Sequence, residues 1–219
     1  NGSNSHNFVD GVCSECGKKN AMGVSYTYYN GVYYVDSYSG TTNETLNVFG
    51  TWDDGVNGEA KVTFIKNGAF SGHAELKKVI LHENITTLDG SVFSGCSNLE
   101  YVSMKGVKNL DLVWFNSRDY YNGVYSANNV TNNNFLNCGK LTTVVVGKNF
   151  ECGEQMFKIH EDNSLTACVN IYAEGSASEC KITLNTDGNQ LLTGNIYYYS
   201  ATEVTGCWYY SKDGVPTLW

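Results

Sequence analysis

Residues 62–84 and 85–107 superpose with a constant shift of 23. Ile65 falls on Leu88, Phe70 on Phe93, Ser71 on Ser94, Gly72 on Gly95 and His73 on Cys96. Leu76 falls on Leu99, Val79 on Val102 and Leu81 on Met104. A third copy keeps the same internal spacing through Phe135, Cys138, Leu141, Val144 and Val146. It is displaced from the second by 42 positions, which is 23 plus an insertion of 19. A degenerate fourth copy runs from Met156-Phe157 to Cys168-Val169-Asn170-Ile171. One unit of this length cannot bury its apolar side alone, so the units must stack. The Val-x-Leu element alternates, which predicts a short strand. The expectation is an α/β repeat: a solenoid of right-handed coils with a parallel sheet on its concave face. The GAF-x-G segments would be the returns, each one helical or 3-10 turn.

Six residues, YYNGVY, occur twice, at 28–33 and 120–125, but 92 positions apart and with unmatched flanks. They are not the repeat unit. Asn-Gly between β-favouring residues is the strongest local hairpin signal, because a type I′ turn needs two positive φ angles. The first copy lies in a β-meander over 24–49 that is expected to cap the first coil. The second lies inside the insertion, near 111–130. That insertion carries Trp114, Phe115, Arg118, Tyr120, Tyr121 and Tyr125. Insertions in repeats map to one face and often bind. Aromatic residues beside an arginine form a recognition set. The alternative is that Trp114 and Phe115 pack back onto the sheet.

Composition narrows the function. The 219 residues carry a net charge of −8 and no basic stripe, which excludes nucleic acid as a partner class. No run approaches the ~18 apolar residues of a membrane span. With 16% charged and 13% aromatic residues, the chain suits a β-rich extracellular protein. It opens at Asn1 without a leader and is read as a mature or trimmed chain.

Few residues suggest chemistry. His6, Cys13 and Cys16 have metal-like spacing, and Cys-x-x-Cys can place two thiolates on one zinc ion. A disulfide or a pair of thiols is the alternative, and no other cofactor is indicated. Cys96 and Cys138 share a repeat position and read as small buried hydrophobes. His73 shares it too and reads as a core or rim histidine bonded to a carbonyl. Asp53-Asp54-Gly55-Val56-Asn57-Gly58-Glu59 starts like a calcium loop, but Gly55 and Phe64 stand where ligands are needed. His82-Glu83 and His160-Glu161 start like a metalloprotease helix without its second histidine. No nucleophile elbow, phosphate loop or dinucleotide fingerprint is present, so no enzyme is expected. In the expected sheet, Lys78, Ile80, His82, Tyr101, Ser103, Lys105, Thr143, Val145, Gly147, Asn170 and Tyr172 point outward. Of these, Lys78, His82, Tyr101, Lys105 and Tyr172 are candidate ligand contacts, beside Trp114, Arg118, Tyr120, Tyr121 and Tyr125.

The Phe-x-x-Cys-x-x-Leu-x-x-Val-x-Leu cassette, at Ala69-Phe70, Val92-Phe93 and Asn134-Phe135, resembles the BspA-type leucine-rich repeat family over about residues 62–172. Tyr197–Ser200 and the terminal WYYSKDGVPTLW resemble the C-terminal cap of secreted gut-bacterial members. HNFVDGVCSECGKKN resembles their His/Cys-rich start. His73 departs from the cassette, where cysteine is usual. The resemblance implies a segment over 1–20, an N-terminal β-rich cap over 21–61, repeats over 62–173 and a C-terminal cap over 174–219. It implies a monomeric, secreted or surface-displayed bacterial protein that adheres to protein or glycan partners on cells or extracellular matrix. The competing expectation is a spacer module with a zinc-binding N-terminal segment and no dedicated ligand. Cys180 and Cys207 fall where the resemblance leads one to expect aromatic residues, and a disulfide between them is the favoured pairing. Cys152 and Cys168 are the second choice.

Overall fold

The computed structural model describes residues 8–9, 11–108, 134–152, 169–184 and 194–219. Its strands are β1 (Phe8–Val9), β2 (Val12–Cys13), β3 (Val24–Tyr29), β4 (Val32–Tyr38), β5 (Thr45–Val48), β6 (Thr51–Trp52) and β7 (Ala60–Ile65). They continue as β8 (Lys78–Leu81), β9 (Thr87–Leu88), β10 (Tyr101–Met104), β11 (Thr143–Val146) and β12 (Asn149–Cys152). The last are β13 (Asn170–Ala173), β14 (Lys181–Leu184), β15 (Ile196–Tyr198), β16 (Trp208–Tyr210) and β17 (Pro216–Leu218).

The Leu/Val-x-Leu strands stack in chain order into one parallel six-stranded sheet, β5-β8-β10-β11-β13-β15. Val79 lies beside Val102, Val102 beside Val144, and Val144 beside Ile171. The repeat alignment is thus the strand register. β5 lies within the stretch expected to form only the N-terminal cap. β15 lies within the stretch expected to form the C-terminal cap. Both are strands of this sheet.

The returns are single i→i+3 turns, the 3-10 bonding pattern, joined to short strands rather than to helices. Among the described residues there is no helix. The second leg of each unit is a short strand, and these strands pair in parallel as β4-β7-β9 and β12-β14. Between strand legs, the GAF-x-G segments make isolated i→i+3 turns, such as Ser71 N–H to Gly68 O at 2.9 Å and Cys96 N–H to Phe93 O at 3.1 Å. Two causes prevent a helix. Gly68, Gly72 and Gly95 hold φ of +70°, +80° and +79°, outside helical space. The amides also bond between units: Phe70 N–H to Val92 O, Gly72 N–H to Ser94 O, Phe93 N–H to Asn134 O and Gly95 N–H to Leu136 O. A helix would need those donors for itself.

The core lies between the two rows of strands. Phe70, Phe93 and Phe135 are fully buried and stack with centroids 5.4 Å apart at both steps, inclined by 7° and 8°. Tyr38, from β4, continues this spine at its N-terminal end, 5.6 Å from Phe70. The spine spans the insertion without losing its spacing. Successive units also meet closely at the end of each sheet strand. A Cβ on Gly106 would lie 2.0 Å from Glu83 O and 2.6 Å from Ile85 O, so backbone alone excludes a side chain there.

The Asn-Gly expectation holds at its first site. β3 and β4 pair antiparallel through Tyr28–Tyr33 and Tyr29–Val32, with Asn30 and Gly31 at φ of 47° and 87°. The second YYNGVY lies outside the described residues. Among the described residues, no helix is long and apolar enough to cross a membrane.

Candidate functional site

The face of the sheet turned away from the core presents three rows of side chains, set by strand register. The first is Thr45, Lys78, Tyr101, Thr143 and Asn170. The second is Asn47, Ile80, Ser103, Val145, Tyr172 and Tyr197. The third continues past the strands through Phe49, His82, Lys105, Gly147, Glu174 and Tyr199. This face divides into two halves.

Toward the C-terminal side it is covered by the chain itself. β16 and β17 form a hairpin that lies on β10, β11 and β13. Trp208 is fully buried, and its indole N–H donates to Ala173 O at 2.9 Å. It meets Tyr172 edge-on at 5.7 Å and Tyr199 at 5.3 Å. Val145, Tyr172 and Trp208 make a second small core, ringed by Tyr101, Tyr197, Tyr199 and Tyr210. Tyr210 OH donates to Glu174 Oε1. Lys105 Nζ sits 2.7 Å from the same oxygen and 4.7 Å from the Tyr210 ring centroid. Burial, then the adjacent Glu174 carboxylate, raises the Tyr210 phenol far above its usual range, so it stays a donor. Burial pushes Tyr101 up to about 12. Lys105 and Tyr172, both outward positions in the sequence, are therefore engaged by the hairpin rather than open to a ligand.

Toward the N-terminal side the face is open. Thr45 is exposed, and Asn47, Lys78, Ile80 and Tyr101 are half-buried. Lys78 Nζ lies 4.8 Å from the Tyr101 ring centroid, a cation–π contact. The described ion pairs on this sheet instead join Lys77 to Glu44 and Lys105 to Glu174, leaving the Lys78 ammonium without a carboxylate among them. His82 is exposed but structurally engaged. Its Nδ1 accepts the Asn84 N–H at 3.1 Å, and its ring fills the space beside Gly50 where a Cβ would stand 2.1 Å from Nδ1.

The insertion does not join this face in the described residues that flank it. Lys108 O accepts the Glu151 N–H of β12 at 2.8 Å. Asn134 is buried, and its side-chain oxygen accepts the Val92 N–H at 3.1 Å. Both flanks thus belong to the return side. Trp114, Arg118, Tyr120, Tyr121 and Tyr125 lie outside the described residues.

At the N-terminus, Cys13 N–H donates to Lys18 O and Gly17 N–H to Cys13 O, both at 2.9 Å. This tight turn brings Cys13 and Cys16 into one loop, Cys13 buried and Cys16 exposed. Lys19 ties the loop to the fold through Thr51 Oγ1 at 2.6 Å and Glu59 at 2.9 Å. His6 lies outside the described residues. Among the described residues no group of three or more His, Cys, Asp or Glu is placed to hold a metal ion. In the calcium-like loop, Asp54 accepts the N–H groups of Asn57 and Val56 at 2.8 and 2.9 Å and the Asn57 side-chain amide at 2.8 Å. These bonds, the Asn57 amide foremost, hold its carboxyl well below the usual range and close the loop on itself.

Cys96, Cys138 and His73 are structural. Cys96 Sγ donates to Phe70 O at 3.0 Å and Cys138 Sγ to Phe93 O at 3.1 Å, linking successive units. Burial pushes the Cys96 thiol up to about 12. His73 bonds the Glu75 carboxylate at 2.7 Å, not a carbonyl, and packs edge-on against Tyr38. Cys180 and Cys207 are free thiols, so the expected disulfide is not formed. Cys180 leads into the return strand β14, whereas Cys207 leads into β16 on the outer face. Cys168 lies outside the described residues.

The outward reading of Val145 and Tyr172 missed their cover, although the signal was present. Val144-Val145-Val146 and Ile171-Tyr172-Ala173 do not alternate, as expected of strands buried on both faces.

Residues 55–164 match the family model of the BspA type leucine rich repeat region in six copies. A leucine rich repeat protein of T. pallidum is similar in structure, with a TM-score of 0.50 at 14% identity over 81% of either chain. A leucine rich cell surface protein of Faecalibacterium prausnitzii A2-165 aligns at 14% identity with a TM-score of 0.42. That alignment covers 90% of this chain and 59% of the other. A leucine-rich repeat protein of Bacteroides ovatus aligns at 12% identity with a TM-score of 0.37, over 81% and 70% of the two chains. No curated protein sequence matches.

Proposed function

The chain belongs to the BspA-type leucine-rich repeat family, matched over residues 55–164, and from that premise we propose that it is a secreted or surface-displayed bacterial binding protein. Its role is recognition of a protein or glycan, without catalysis. Its units form a solenoid whose outer sheet face carries the contact surface. The recognition area is the open N-terminal half: Thr45, Asn47, Lys78, Ile80 and Tyr101. The observation that supports this reading is the Lys78–Tyr101 pair, an ammonium over an aromatic ring with no carboxylate paired to it among the described residues. A half-exposed cation and ring beside amide and hydroxyl groups suit a polar partner. The aromatic insertion, with Trp114, Arg118, Tyr120, Tyr121 and Tyr125, supplies further contacts.

The test is a screen on glycan and extracellular-matrix protein arrays. Wild type would be compared with a Lys78→Glu/Ile80→Asp double variant and with a chain whose residues 111–130 are replaced by a short turn. Binding through the sheet predicts a tenfold or greater loss in the double variant alone. Hits unaffected by the double variant but lost without the insertion move recognition to the insertion.

A second reading rests on the N-terminal loop, whose tight turn holds Cys13 and Cys16 in one loop. In it the chain is a spacer whose first segment holds structural zinc. Metal analysis of the purified chain would show one equivalent, lost in Cys13→Ser/Cys16→Ser. A zinc-free chain that keeps its N-terminal fold removes that reading.

A further inference from the structure

The terminal hairpin stands on the outer face by contacts separate from the main core. Trp208, Val145 and Tyr172 form their own cluster. The hairpin closes its own ladder, with Trp208 opposite Leu218, Tyr209 opposite Thr217 and Tyr210 opposite Pro216. Residues 201–206, which join it to β15, are exposed throughout. Within them Gly206 holds φ +82° with open space around it. Across this connection the backbone is tied by Ser200 N–H to Trp208 O at 2.8 Å, beside a parallel bridge between Tyr199 and Trp208. Trp219 adds an indole bond to Ser200 O at 3.1 Å.

The bonds that seat the hairpin therefore run between two partners, a hairpin and a face, that a second chain can supply in identical form. We propose that the C-terminal half of the outer face is a homotypic docking surface. Its occupant is the terminal hairpin of a second copy, exchanged reciprocally between two chains.

The exchanged pair keeps the Trp208 bond to Ala173 O, the Tyr210 bond to Glu174 and the Lys105 contact with the Tyr210 ring. It gives up only the closed path of residues 201–206. Stretched, those six residues span about 20 Å, enough to carry the hairpin off its own sheet. Exchange of an identical element is a low-cost route to a dimer. The face suits a bare intermediate, because Lys105 and Glu174 remain paired when the hairpin leaves. Each chain carries a net charge of −8, so salt, which screens the repulsion between copies, favours exchange. The inference uses the covered half of the face and stands independently of ligand binding on the open half.

The test uses the full chain. Deleting residues 202–205 leaves Tyr199 and Trp208 joined by too few residues to pair in parallel, because a parallel pair needs a long crossover. That variant is expected to be a dimer in light scattering, at twice the 24.1 kDa of one chain, with residues 207–219 still protected from hydrogen exchange. Wild type refolded at high protein concentration is expected to give a dimer of the same mass, in greater yield at high salt, and Trp208→Ala is expected to abolish it. A monomeric deletion variant with an unprotected hairpin overturns the proposal. Should the deletion variant fail to fold, refolded wild type decides. A wild type that stays monomeric at every concentration, or a dimer that persists in Trp208→Ala, overturns it as well.

Discussion

Phe93→Ala is expected to lose about 3–5 kcal/mol of folding stability, the usual cost of truncating a fully buried phenylalanine. Phe93 is the middle member of the stack, with Phe70 and Phe135 each 5.4 Å away. Its removal deletes both stacking contacts and leaves a cavity with ordered neighbours on two sides. Those neighbours cannot close over it. Phe70 N–H is fixed to Val92 O, and Asn134 O holds the Phe93 amide. Domains commonly have total stabilities of about 5–15 kcal/mol, so the variant forfeits a large share. Urea denaturation of wild type, Phe93→Ala and Phe93→Leu measures it, with the leucine variant falling between the other two. A loss under about 1 kcal/mol in Phe93→Ala would mean that the stack is not what holds successive units together.

Trp208→Ala is expected to cost about 3–5 kcal/mol of hairpin docking, but locally rather than globally. The indole fills the second cluster against Tyr172 and Tyr199 and satisfies Ala173 O. A two-stranded hairpin is marginally stable on its own. Without Trp208, residues 207–219 should exchange their amides at close to unfolded rates, while β8 and β10, anchored in the main core, keep their protection. Val145 and Tyr172 then become solvent-exposed. Exchange that spreads into β8, or a hairpin that stays protected, would show that the second cluster does not carry the docking.

What the sequence revealed follows the physics of each feature. The sheet register was legible because each unit repeats the same inward positions, and stacked units must align them. The first hairpin was legible because Asn30-Gly31 is local chemistry that needs no distant partner. β5 was missed because Leu46-x-Val48 precedes Val79 by 33 positions rather than 23, with β6 and β7 between them. β15 was missed because Ile196-Tyr197-Tyr198 brings aromatic residues where Leu-x-Leu was expected. Helical or 3-10 returns were expected of the GAF-x-G segments, and the inter-unit hydrogen bonds that limit them to single turns leave no mark in a single copy. The halves of the outer face were the hardest to foresee. Whether Lys78 meets water while Tyr172 meets Trp208 is decided by where a distant segment folds back. Only the unbroken apolar runs at 144–146 and 171–173 hinted at it.

The sheet's orientation sets how this protein responds to mechanical load. Its strands succeed one another in chain order, so a pull applied at β5 and β15 is borne across the ladders rather than along them. Hydrogen bonds loaded in that direction open one rung at a time instead of shearing together. Each unit can then peel away while the next stays folded, and can close again when tension falls. The sheet would lengthen in steps under load rather than give way at once.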